Sequence, residues 1–189
     1  MSKERVEHDF YPTPGWCVRQ LLDEIGHELP WGEGPWLEPC VGDGAIVRAV
    51  DGWALENGKP EVEWVITDIR TTPLVAEPLD FLLPELRRPQ AYALAFTNPP
   101  FVLAHEFAEA CLHDARQTIF LLRLAFLGSA DRNDFIRANP PAVEVMPNRP
   151  SFVHGSTDSH DYGWFKWGFG APIVHTLRTW PKNKRRTNA

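Results

Sequence analysis

The sequence predicts an α/β fold: a mostly parallel sheet with helices on both faces and an antiparallel edge. Three observations carry this. Short apolar or β-branched runs alternate with stretches of helical apolar spacing, the pattern of a parallel sheet covered on both faces. Proline is frequent, 18 among 189 residues, and each proline fixes φ and removes a backbone donor, so the elements should be short. The last strand-like runs follow one another without a helix, which breaks the alternation and adds antiparallel strands at one edge.

In chain order, residues 16–25 carry Cys17, Val18, Leu21, Leu22 and Ile25 at helical spacing just after Pro14. Trp36-Leu37 is a short strand ending at Glu38, and residues 45–55 form a helix with Ile46, Val47, Val50 and Leu55 on one side. Residues 62–67 are β-branched and apolar, which predicts a buried strand. Residues 91–96 form another strand, residues 103–115 a helix, and residues 118–122 a third apolar strand. A short helix over 133–138 stops at Pro140 and Pro141. Residues 143–146, 163–169 and 174–180 read as later strands, the last two close enough to pair antiparallel. Residues 1–180 make one domain, and the basic, apolar-poor end, residues 181–189, reads as a tail.

Composition narrows the function classes. The chain is 43% hydrophobic and 23% charged, a globular balance that excludes a fibrous or disordered protein. No run approaches the ~18 apolar residues of a membrane span, so no membrane contact is expected. The first residues are charged where a secretion signal would be apolar, and Cys17, Cys40 and Cys111 are odd in number and far apart. Together these predict reduced thiols and a cytoplasmic location. Nineteen basic against 25 acidic residues give a net charge of −6, so contact with a polyanion must be local.

Three segments carry chemistry. Glu38-Pro39-Cys40-Val41-Gly42-Asp43-Gly44 lies between a strand and a helix, where the glycines allow a tight turn and close approach to a ligand. The third glycine of the dinucleotide fingerprint is missing, Val47 standing in its place, which disfavours NAD and leaves other adenosine cofactors. Asp68 follows the next strand, placed to accept hydrogen bonds from ribose hydroxyls or, in the plainer reading, to shape a turn. Thr97-Asn98-Pro99-Pro100-Phe101 ends the strand after that. Its prolines hold the backbone extended, the Asn98 oxygen and the Pro99 carbonyl can accept from one planar NH2 group, and Phe101 offers a flat face to that group's ring.

The glycine loop resembles the cofactor loop of S-adenosylmethionine-dependent amino-methyltransferases, and Asn98-Pro99-Pro100-Phe101 resembles their catalytic Asn/Asp-Pro-Pro-Tyr/Phe motif. Asp9-Phe10-Tyr11-Pro12-Thr13-Pro14 is similar to the segment that helps hold the methionine end in adenine-N6 DNA methyltransferases. Leu79-Asp80-Phe81 resembles their third cofactor strand end, and Pro147-Asn148-Arg149-Pro150-Ser151-Phe152 the loop that closes over the target base. The order matches the gamma arrangement, in a small, phage-like single-domain form. This resemblance covers nearly the whole chain and implies a Rossmann-like fold with S-adenosyl-L-methionine as cofactor. It implies contacts to that cofactor from Tyr11, Thr13, Glu38, Pro39, Gly42, Gly44, Asp68, Asp80 and Phe81. The catalytic corner would be Asn98, Pro99, Pro100 and Phe101, acting on the N6 amine of adenine in DNA, flipped out or single-stranded. Members of this order usually carry a separate target-recognition domain, for which this chain shows no segment, so a homodimer or a separate recognition partner stays open.

Lys182, Lys184, Arg185 and Arg186, with Arg149 and Arg123, are the candidate phosphate contacts. Cys40 reads as a small buried residue. His154, Asp158, His160 and Asp161 sit around a Gly-Ser-Thr stretch and read as a solvated loop; no metal site is expected. Trp164, Phe165, Trp167 and Phe169 read as packing on a strand. The alternatives are methylation of RNA bases or of a protein glutamine, whose amide presents the same NH2 geometry, and a catalytically silent cofactor-binding accessory module.

Overall fold

The computed structural model describes residues 12–152 and 159–178. In chain order it contains helix α1 (Gly15–Ile25), strand β1 (Trp36–Glu38), helix α2 (Ala45–Glu56), strand β2 (Trp64–Ile66), strand β3 (Tyr92–Thr97), helix α3 (Ala104–Asp114) and strand β4 (Ala115–Arg123). Helix α4 (Asn133–Ala138) and strands β5 (Ala142–Val145), β6 (Tyr162–Trp167) and β7 (Val174–Thr176) follow. The strands form one sheet in the order β2-β1-β3-β4-β6-β5-β7. β1 pairs in parallel with β2 and β3, and β3 with β4, while β6 lies antiparallel between β4 and β5.

Strand alternation builds the two cores. Trp36, Leu94, Phe96, Ile119, Leu121 and Trp164 point to the face that carries Val18 and Leu21 of α1 and Val50 of α2. Their chain neighbours Leu37, Ala95, Phe120, Leu122 and Phe165 point to the opposite face, against Phe107, Ala108 and Cys111 of α3. A period of two therefore feeds both layers from the same strands, and each such large apolar side chain contributes about 1.5–3 kcal/mol on burial. Trp164, Phe165 and Trp167 are buried in these cores, as the packing reading expected. Lys166 is buried between them and paired with Glu144 of the neighbouring strand at 2.8 Å.

Three expectations need correction. β2 is only half-buried, because it is the outermost strand and has a partner on one side alone. β7 does not pair with β6; it runs parallel to β5, in register from Val143↔Val174 to Val145↔Thr176. A strand inserted between β4 and β5 leaves β7 only the outer edge of β5. No strand precedes Asp80 either: residues 77–83 contain no strand, and Leu79 N–H donates to the Asp68 carbonyl at 2.8 Å.

Candidate active site

A cleft of about 850 Å3, counted out to its open mouth, lies at the carboxyl ends of β1, β2 and β3. Parallel strands all end on that side, so the loops leaving them converge there. Thr13, Glu38, Gly42, Asp68, Asp80 and Asn98 contribute to its wall from five separate stretches of chain.

The loop after β1 is shaped by its glycines. Gly42 and Gly44 have φ of 54° and 81°, a region that side chains with a Cβ rarely adopt. At Gly44 a Cβ would also lie 2.5 Å from Leu74 Cδ1. The Asp43 side chain accepts from the Ala45 N–H at 3.0 Å and so tethers the start of α2. Gly42 N–H donates to Asp68 Oδ2 at 2.8 Å, locking the loop to the end of β2. Arg70 reaches back to the same carboxylate, with its backbone N–H at 2.9 Å, Nε at 3.0 Å and Nη2 at 3.2 Å. Asp68, 3% exposed, is thus a buried anion held by the loop on one side and a guanidinium on the other.

Glu38 ends β1 inside the wall and is 1% exposed. Its carboxyl is pushed up to about 8 by burial, with a smaller push from the nearby Asp68 carboxylate; the Thr97 side chain and the Cys40 N–H, which donates to Oε1, pull partly the other way. Cys40 is half-buried and lines the cleft, where the sequence had suggested a buried residue. Burial and the neighbouring Glu38 hold its thiol well above the usual range, so it is a poor nucleophile in the empty cleft.

β3 delivers the proline corner. The Asn98 amide nitrogen donates to Thr13 Oγ1 at 3.0 Å, so the amide presents its oxygen as acceptor. Asn98 and Pro100 line the cleft and Pro99 is buried behind them. The Pro100 carbonyl accepts from Leu103 N–H at 2.9 Å, closing the turn that leads into α3. Phe101 does not line the cleft. Its ring packs beside Phe152 and Tyr162, centroids 6.3 and 5.7 Å away, with the Arg123 guanidinium 4.7 Å from its centroid.

Asp80 and Phe81 close the far wall. The Asp80 side chain accepts from Leu82 N–H at 3.0 Å, and Phe81 stacks on Phe107 at 6.0 Å with the rings 15° apart. Arg87 lies 4.4 Å from the Phe81 centroid and 3.6 Å from the buried Asp114, bracing that ring from behind.

Of the residues expected from sequence, Thr13, Glu38, Pro39, Gly42, Asp68, Asp80, Phe81, Asn98 and Pro100 meet at one cleft. Gly44 stands behind it, starting α2. Tyr11, His154, Asp158 and the tail lysines and arginines lie outside the described residues. Arg149, expected to face phosphate, pairs with Asp161 at 2.8 Å. Arg70 and Tyr162 were not foreseen. The two-residue spacing from Asp68 was a usable signal for Arg70, whereas Tyr162 reaches Phe101 only through the sheet.

No protein-family model and no curated protein sequence matches this chain. Solved structures do. One is a Listeria monocytogenes protein described as a class I S-adenosylmethionine-dependent methyltransferase, 15% identical, TM-score 0.62, covering 93% of this chain and 68% of the other. A second is the methyltransferase subunit of a type I restriction-modification system from Streptococcus thermophilus, 12% identical, TM-score 0.58, covering 88% and 46%. A third, from Pyrococcus horikoshii, is described as an RNA methyltransferase and is 12% identical, TM-score 0.63, covering 92% and 93%. The chain spans about half the length of the restriction-modification subunit. Sheet order, cleft position and these likenesses agree: the chain has the Rossmann-like fold of class I methyltransferases.

Proposed function

We propose that the protein transfers a methyl group from S-adenosyl-L-methionine to the exocyclic N6 amine of adenine in DNA. One observation carries this reading: Asn98 and Pro100 of the proline corner line the same cleft as Gly42 of the glycine loop and the Asp68 it is bonded to.

The residues present suit that cofactor. Glu38 is a carboxyl buried in the cleft wall, which favours a ligand bringing its own ammonium. Asp68 lines the cleft with both oxygens already bonded to Gly42 and Arg70, so ribose hydroxyls would replace Arg70 donors there, and Ile69, Phe81 and Leu103 supply apolar walls for a purine. When bound, S-adenosylmethionine supplies a methyl group on a positively charged sulfur.

The chain's own residues then act on the substrate amine. The lone pair of an amine conjugated to a purine is spread into the ring, which makes it a weak nucleophile. Hydrogen bonds from its two N–H groups to the Asn98 oxygen and the Pro99 carbonyl favour a pyramidal nitrogen with the lone pair aimed along the cleft. Thr13 holds the Asn98 amide in the orientation this requires. Orientation of this kind supplies up to ~7–11 kcal/mol in favourable systems. No base is needed before attack, because the nitrogen becomes acidic only as it is alkylated; the proton it then sheds passes to water at the open mouth of the cleft. Phe101 stands beside the cleft and not on its wall; stacked on a base drawn past the corner, its ring would contribute about 1–3 kcal/mol.

An RNA base is the second reading, and the Pyrococcus horikoshii likeness, which spans nearly the full length of both chains, favours keeping it. Labelled S-adenosylmethionine offered with single-stranded DNA, duplex DNA, RNA and protein decides between them. Label in DNA adenine is expected; label in RNA promotes the second reading, and label in protein glutamine overturns both.

A further inference from the structure

The aromatic group behind the proline corner is held by a cation. Phe101, Phe152 and Tyr162 pack together, Phe152 and Tyr162 at 5.2 Å, with tilted or edge-to-face rings throughout. Arg123, at the end of β4, lies 4.7 Å from the Phe101 centroid. Its Nε donates to the Tyr162 hydroxyl at 3.2 Å, so the guanidinium is tethered at one edge while it covers the ring. β4 and β6 are paired from Thr118↔Trp167 to Arg123↔Tyr162, which makes this tether part of the sheet register. Asn98, three residues before Phe101, stands on the cleft wall next door. A planar cation therefore lies on the aromatic ring next to that corner, the ring to which the proposed function assigns the substrate base.

We propose that Arg123 is a specificity-determining placeholder: it covers Phe101 in the empty site and gives the ring up only to a substrate that stacks on it. This deepens the proposed function and rests on it. Guanidinium and nucleobase are both flat and compete for the same π surface. A partly exposed cation–π contact favours the covered state by about 2- to 5-fold. Stacking of a nucleobase on an aromatic ring is worth roughly 5- to 150-fold, so a base displaces the guanidinium. A glutamine amide presents the same NH2 group to Asn98 but has no aromatic ring to gain that stacking. The placeholder thus filters by ring and leaves the amine to the Asn98 corner. It also keeps Phe101 shielded from water between turnovers.

The test is direct binding of an uncharged fluorescent nucleoside, 2-aminopurine riboside, which carries no phosphate for the arginine to attract. The full chain and its Arg123→Ala, Arg123→Gln and Phe101→Ala variants are titrated in parallel, with melting curves recorded for each. Arg123→Gln keeps a donor near Tyr162 and guards against a folding defect in the alanine variant. The proposal expects both Arg123 variants to bind the probe about 2- to 5-fold tighter than the parent, and Phe101→Ala to bind it more weakly. Equal or weaker binding by both Arg123 variants, with Phe101→Ala still impaired, overturns the placeholder role and leaves the base-binding reading standing. Binding that is absent in the parent, or indifferent to Phe101, overturns both.

Discussion

Asn98 and Thr13, 85 positions apart in the chain, are joined by a 3.0 Å hydrogen bond from the asparagine amide to the threonine hydroxyl. That bond ties the end of β3 to the segment before α1 and decides which end of the amide is the acceptor. Without it the amide could rotate and present NH2 where the proposed chemistry needs oxygen.

Thr13→Val keeps the shape and removes the hydroxyl. A net contribution of about 0.5–1.5 kcal/mol for one hydrogen bond translates into a roughly 2- to 10-fold fall in kcat, with Thr13→Ser close to the parent. Single-turnover methyl transfer measures it; unchanged kcat in the valine variant removes Thr13 from the proposed orienting role.

Asn98→Ala is expected to cut transfer by about 100- to 1,000-fold, the usual loss when one positioned group at a reacting centre is deleted. Cofactor affinity should stay nearly constant, since the loop and Asp68 are untouched. Calorimetry beside the transfer assay separates the two effects, and a parallel loss of cofactor binding counts against a role confined to the amine.

Asp68→Ala removes the acceptor of the Gly42 N–H and leaves Arg70 without its carboxylate. Hydrogen bonds to a charged group are worth about 1.5–3 kcal/mol, so S-adenosylmethionine should bind roughly 10- to 150-fold more weakly by calorimetry. Restored affinity in a second-site Arg70→Ala background would show that the stranded guanidinium, and not the lost acceptor, was the cause.

On the proposed function, Glu38 should make cofactor binding depend on pH. Its carboxyl sits at about 8 in the folded empty cleft against an ordinary 4.5, burial being the main cause. The folded chain therefore holds a proton that the unfolded chain has released between these values, and stability falls as pH rises from 4.5 towards 8. An ammonium bound beside Glu38 favours the carboxylate, so affinity should rise with pH up to about 8 and binding below that should release a proton. Titrations in buffers of different ionisation enthalpy detect that proton. Glu38→Gln should bind more weakly, with a flat profile over the same range and no proton release.

Gly44→Ala probes the loop backbone. At φ of 81° a Cβ costs about 1–2 kcal/mol in the left-handed region, and here it also meets Leu74 Cδ1. A lower melting temperature and weaker cofactor binding are expected together; an unchanged melt would mean that the loop relaxes at no cost.

Much of this protein could be read from local pattern. Helices α1, α2, α3 and α4 and strands β1, β3, β4 and β5 fall where apolar spacing and proline positions put them, because a helix face or a strand run records its own burial in consecutive residues. The glycine loop and the Asn-Pro-Pro-Phe corner were legible for a similar reason: positive φ and a rigid extended turn demand particular residue types. Tertiary structure alone decided the rest. Strand order has no local signature, so only the folded sheet sets β6 between β4 and β5 and leaves β7 on the outer edge of β5. The raised carboxyl of Glu38 arises from surroundings that residues far along the chain create, desolvation above all. Arg123 reaches the Phe101 ring, and Asn98 reaches Thr13, across the sheet and across the chain; distance in sequence carries no information about either contact, while distance in space determines both.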